Sequence, residues 1–191
     1  MGIYSMIASS GGGGGGSTSN RSYQLISTTD ISSAATIEFT DLSEDLYLLV
    51  LKDLEYGDSF SSNRGIDIRT SDDNGTTWDQ GDTDYSHAKS GRYTTASQGG
   101  GSNGDTKIVT SISSADTDEP AKRTYCEIFI MNINNASRNT NIFGSGWGAD
   151  GDMMDFVGVR LTAQADDAVQ LDTTGSFVDG TAYLYKIVEG V

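Results

Sequence analysis

A chain of 191 residues with 36 % hydrophobic and 20 % charged residues is sized for one domain plus an appendage. Its formal net charge of −15 makes a surface that repels phosphate, which excludes nucleic acid as a partner, and no run is long and apolar enough to cross a membrane as a helix. Twenty-four glycines, nine tyrosines and a single proline, with short runs of Val, Ile, Tyr, Phe and Thr between small polar residues, are the vocabulary of strands and turns. No segment repeats its apolar residues at helical spacing. The expected fold is therefore all-β, an antiparallel β-sandwich or jelly roll carrying an extended Gly-rich N-terminal arm.

Residues 1–21 form that arm. Met1, Ile3, Tyr4, Met6 and Ile7 make a short apolar peg, and six consecutive glycines follow it. The opening has no basic stretch and too few apolar residues for a signal peptide, and Met6 stands where myristoylation needs Ser or Thr. A glycine run loses more backbone entropy on ordering than any other sequence. Its value is reach: about ten Gly/Ser residues span roughly 17 Å r.m.s.. Peg and tether together predict an anchoring device for a partner's groove or sheet edge, with residues 22–191 as the body it holds.

The body begins with SYQLIST and ATIEFTDL. In the second run Ala35, Ile37 and Phe39 share one face and Thr36, Glu38 and Thr40 the other, a period of two. LYLLVLKDLEY is apolar on both faces, as a central strand is. GIDIRTS follows, with Ile66 and Ile68 on one side. Residues 79–105 are polar and end in a second glycine cluster, which predicts a long loop. TKIVTSIS, TYCEIFIMNI, TNIFGSGWG, FVGVRLTA, AVQLDTT and TAYLYKIV then read as strands separated by turn signals.

Between the fourth run and the polar segment lies SDDNGTTW. It matches the S-x-D-x-G-x-T-W pattern of the Asp-box turn through Ser71, Asp73, Gly75, Thr77 and Trp78. Asp73 is expected to accept backbone N–H groups, Gly75 to take positive φ, and Trp78 to pack beneath a hairpin. The motif occurs once, without the repeat of a propeller, so it specifies a turn and is silent on activity.

Chemistry has few candidates. Asp79, Asp82 and Asp84 crowd one segment and Asp150, Asp152 and Asp155 another, but neither matches a calcium loop, so no metal or other cofactor is expected. His87 is the only histidine, and no G-x-S-x-G elbow supplies a nucleophile for it. Cys126, alone in its strand-like run, reads as a small buried hydrophobe. The chain is expected not to be an enzyme. Tyr85, His87 and Tyr93, on the predicted loop, are the candidate glycan contacts.

YQLISTTDISSAATIEFTDLSEDLYLLVLKDL, IDIRTSDDNGTTWDQGDTDYSHA and the closing GTAYLYKI resemble a set of small virion proteins encoded by tailed bacteriophages. Those proteins open with an "LIST…ASIDFT" strand pair, carry an "LRTSxDGGxxFDxGxxDYxYA" middle and end in "GTxxLYGI". The likeness covers most of residues 23–187; the Gly-rich arm and the KIVEGV ending depart from it. It implies a structural role in a virion, as a tail-fibre or tail-adaptor component, or alternatively a capsid decoration or head-fibre protein. The partners it implies are other virion proteins held through the arm and further copies of the chain, a trimer being the expected homo-oligomer. A carbohydrate-binding module for host attachment is the second reading, and an enzyme acting on glycans the third.

Overall fold

Alternating Val, Ile, Leu and Tyr runs bounded by Asx- and Gly-rich turns form ten antiparallel strands in the computed structural model, which describes residues 21–56, 65–93, 96–110, 123–148 and 153–189. They are β1 (Arg21–Phe39), β2 (Leu46–Tyr56), β3 (Asp67–Ser71), β4 (Tyr85–Tyr93), β5 (Ala96–Asp105), β6 (Ile108–Val109), β7 (Thr124–Met131), β8 (Asn141–Trp147), β9 (Met153–Arg160) and β10 (Ala168–Glu189). The expected all-β, sandwich-like architecture is what the chain adopts. The peg residues Met1, Ile3, Tyr4, Met6 and Ile7 lie outside the described residues.

The strands join in the order β5-β4-β9-β8-β7-β2-β10-β3-β6, with β1 against β10. Two strands serve both layers. Residues 168–172 of β10 pair with β3, while residues 177–186 pair with β2. β1 follows β10 on its other side through both segments, from Arg21 opposite Glu189 to Phe39 opposite Val169. Four runs that read as separate strands are thus two long ones, β1 and β10. The polar stretch STTDISSA stays in the ladder because its backbone pairs with β10, whatever its side chains prefer.

The segment expected to be a long loop is corrected by the same logic. Residues 85–93 and 96–105 form a hairpin, β4 and β5, and β4 also pairs with β9. Small and glycine residues have low strand propensity, but a partner on the far side of β4 supplies the backbone bonds that decide the matter.

The layers meet over one apolar core. The short layer presents Ile37, Leu171, Ile68 and Ile108, a row set by direct pairing. The long layer presents Leu184, Leu49 and Ile128, all nearly or fully buried. The layers approach so closely at Gly158 that a β-carbon there would lie 2.5 Å from Ile108. Only glycine permits that contact.

One buried polar network ties the layers. Arg160 at the end of β9 binds Asp79 through Nη2 at 2.7 Å and Nε at 2.9 Å. Its Nε also lies 3.5 Å from Asp166, whose carboxylate accepts the Thr140 hydroxyl at 2.7 Å and the Gln164 amide at 2.8 Å. Burial pushes the Asp166 carboxyl up to about 6 despite those donors and the cation.

Candidate functional site

The turn after β3 builds itself from its own polar side chains. The Ser71 hydroxyl donates to Asp73 at 2.7 Å and accepts the Asp73 and Gly75 N–H groups at 3.2 and 3.0 Å. Asp73 in turn accepts the Thr77 N–H at 2.8 Å and the Thr77 hydroxyl at 2.7 Å. The Thr77 donors, side chain and then backbone, with the Ser71 hydroxyl, hold the Asp73 carboxyl down at about 2. Gly75 has φ 80°, and a β-carbon there would meet the Trp78 ring at 3.2 Å and Thr40 at 3.3 Å. Trp78 is half-buried under the turn.

This turn does not make the expected hairpin. β3 pairs with β10 and β6, and β4 with β5 and β9. A single backbone bond, Asp79 N–H to Thr70 O at 3.0 Å, returns the chain before it crosses to the long layer. The turn is instead pinned from outside: Asn74 exchanges two bonds with Asp41, at 2.7 and 3.0 Å, and donates its N–H to Asp167 at 2.7 Å. The Ser71, Asp73, Asn74, Thr76 and Thr77 side chains are thus committed to structural partners.

Two of the three candidate glycan contacts, Tyr85 and His87, are turned into the core. Tyr85 is fully buried, and its hydroxyl accepts the Thr70 N–H at 2.8 Å. Burial raises the phenol to about 12. His87, two residues on, faces the same interior and is 8 % exposed. Burial, ahead of the opposing pull of Asp105, lowers its pKa, and its Nδ1 has no partner among the described residues. Tyr93 ends β4 opposite Ala96, and its side chain lies outside the described residues. A strand of period two turns Tyr85 and His87 inward together, which a loop would not have done.

The acidic clusters disperse as well. Asp79 is taken by Arg160, Asp84 accepts the Gly81 N–H at 2.6 Å to close its own turn, and Asp155 stands exposed on β9. Asp150 and Asp152 lie outside the described residues. Among the described residues no group of three or more His, Cys, Asp or Glu could hold a metal ion. Cys126 is buried, and burial pushes its thiol up, away from nucleophilic use.

Two surface features remain. The first is the outer side of β1, which pairs on one side with β10 and presents Tyr23, Leu25 and Ile26 at 56, 50 and 48 % exposure. The second is the outer face of the long layer. Cross-strand pairing aligns Leu25, Tyr185, Leu48, Phe129, Phe143, Val157 and Ala88 in one row running from β1 to β4. Beside it runs a polar row, Glu127, Ser145, Asp155 and Ser90. A groove of about 600 Å³ lies over both rows where they cross β7, β8, β9 and β4. Phe129 and Phe143 form one wall, their rings stacked at 5.3 Å and 12°. Outward-facing aromatics in TYCEIFIM and TNIFGSGW were the sequence signal for this face, hidden because those runs are apolar on both sides.

No family model matches the chain, and no curated protein matches it. Among solved structures it is similar to the exo-inulinase from Aspergillus awamori, with a TM-score of 0.40 and 13 % identity. The likeness covers 86 % of this chain and 29 % of that enzyme, and at this level it carries no argument about activity.

Proposed function

We propose that this chain is a non-enzymatic structural component of a tailed-bacteriophage virion, joined to the tail as a fibre or adaptor subunit through residues 1–21. The observation that carries the reading is the start of β1. An edge strand with a free row of N–H and C=O groups is a pairing hazard that proteins normally blunt with charge, proline or a cover. Here the first described residues, Arg21 to Ile26, are exposed, and three of them are large and apolar. Such an edge is suited to being covered in an assembly. The sticky peg and its glycine tether lead directly into it, so arm and edge form one continuous attachment element. Strand addition along β1 would supply main-chain bonds, and Tyr23, Leu25 and Ile26 would supply apolar area at about 25 cal/mol per Å².

The placement of several side chains with catalytic chemistry supports the non-enzymatic part. Tyr85, His87 and Cys126 are consumed by the core, and Asp79 and Asp166 by Arg160. The same attachment element repeated around a tail axis would bring copies together as a homotrimer.

Quantitative mass spectrometry of purified particles tests this reading. Copy number at the level of a tail component, with the chain located on the tail by antibody labelling, is the expected result. A copy number matching the capsid lattice would replace the tail assignment by a capsid-decoration role. Absence from the particle would overturn the proposal.

A further inference from the structure

The groove on the outer face of the long layer pairs two unlike rows. The apolar row offers the stacked Phe129 and Phe143 rings, continued by Val157 at 50 % exposure. The polar row offers Ser145, Asp155 and Ser90, directly opposite one another across β8, β9 and β4. None of these three side chains makes a hydrogen bond or ion pair among the described residues. The outer side of the short layer is different: there Glu38, Gln170, Arg69 and Asp172 bond to each other. One outer face is closed on itself, and the other presents unused hydrogen-bonding groups beside an apolar platform.

We propose that this groove binds a neutral oligosaccharide. A sugar ring has an apolar C–H face and an equatorial rim of hydroxyls, which matches a platform beside a row of acceptors and donors. The volume of about 600 Å³ lies in the range of roughly 300–1,000 Å³ usual for ligand sites. Four strands at about 4.8 Å spacing give it a length of roughly 14 Å, room for a short oligosaccharide rather than a single ring. Charge selects the class. Asp155 and Glu127 stand in the polar row and the chain carries −15 overall, so uronic, sialic and phosphorylated sugars are repelled. Glu127 is held in place by the Tyr125 hydroxyl at 2.7 Å. Charge also disfavours a second copy of the chain as occupant. Lys89 is the one cation lining the groove among the described residues, and Asp67 of the short layer attracts its charge. The rows themselves add none, so a protein face pressed on them would bury carboxylates without counter-charge there, whereas sugar hydroxyls donate to them.

This inference is independent of where the protein attaches, and it is tested on the full chain alone. The probes are neutral gluco-, galacto-, manno- and xylo-oligosaccharides, with a sialylated set beside them, screened by array and quantified by calorimetry. At least one neutral probe should bind, and Asp155→Ala and Phe143→Ala should each weaken it by about tenfold or more. Asp155 is exposed, so its variant keeps the fold even if Phe143→Ala does not. Absence of binding by every neutral probe at millimolar concentration would overturn the proposal, as would unchanged affinity in the Asp155 variant or binding confined to sialylated probes. Self-association abolished by Asp155→Ala or Phe143→Ala would overturn it in favour of a second copy.

Discussion

Removing one oxygen atom separates a structural Tyr85 from a ligand-binding one. Tyr85→Phe keeps the ring, which is fully buried, and deletes the hydroxyl that accepts the Thr70 N–H at 2.8 Å and lies 3.2 Å from the Thr70 hydroxyl. Thr70 and Tyr85 are both fully buried, so the Thr70 N–H loses its partner and keeps its desolvation cost, about 1–3 kcal/mol. For a domain of this length each kcal/mol moves the melting temperature by roughly 2–4 °C, which gives a fall of about 4–8 °C for a central value near 2 kcal/mol. Thermal and urea melts followed by circular dichroism measure it. The urea m-value should not change, because the exposed surface on unfolding is the same. Saccharide affinity should also stay the same, since Tyr85 faces away from the outer groove. A variant as stable as the parent, or one that loses saccharide binding at full stability, would refute this account of the β3–β4 contact.

The Asx turn offers a parallel case: Gly75→Val forces a β-branched residue to φ 80° and into the Trp78 ring, and should cost about 1–3 kcal/mol in the same melts. Proton linkage gives two opposite signs. Asp73 is depressed to about 2, so its contribution is complete above its unfolded value near 3.8 and is lost as pH falls towards 2; Asp73→Asn should flatten the acid limb of the stability curve. Asp166 is raised to about 6, so the folded state takes up its proton first and stability from this group grows as pH falls from 6 towards 3.8; Asp166→Asn should remove that rise and leave the acid limb alone. Calcium and EDTA should both leave the melting temperature where it is, since Asp79 and Asp84 are already committed to Arg160 and Gly81; a large fall on chelation would show that the carboxylates do gather around an ion.

How much of this was legible depends on which force decided each element. β2, β7 and β9 announce themselves as strands because short runs rich in apolar residues are bounded by turn signals, and within β7 Cys126, Ile128 and Ile130 fall inward as a period of two demands. In sequence β4 and β5 look like a loop because Ser, Gly and Lys carry no such signal; their strand character comes from β9, which is distant in sequence. The misplacement of Tyr85 and His87 as surface groups follows from that one error. The turn at 71–78 was legible atom by atom, since its bonds are local, yet the strand it leads to was not, since crossing between layers is a property of the whole sheet. The outer groove stayed hidden for a related reason. Phe129 and Phe143 sit in runs that are apolar on both faces, and only the pairing of Phe129 with Phe143 and of Ser145 with Asp155 reveals two distinct rows.

Attachment through the arm is the central claim, and deletion of residues 2–20 tests it most directly. The truncated chain retains the whole of β1, whose pairing with β10 begins at Arg21 opposite Glu189. It should therefore fold, melt at a nearly unchanged temperature and remain soluble. Supplied with the full chain during particle assembly, it should be absent from purified virions while the full chain is incorporated. Equal incorporation of the two forms would contradict the claim and move the attachment to the body of the protein.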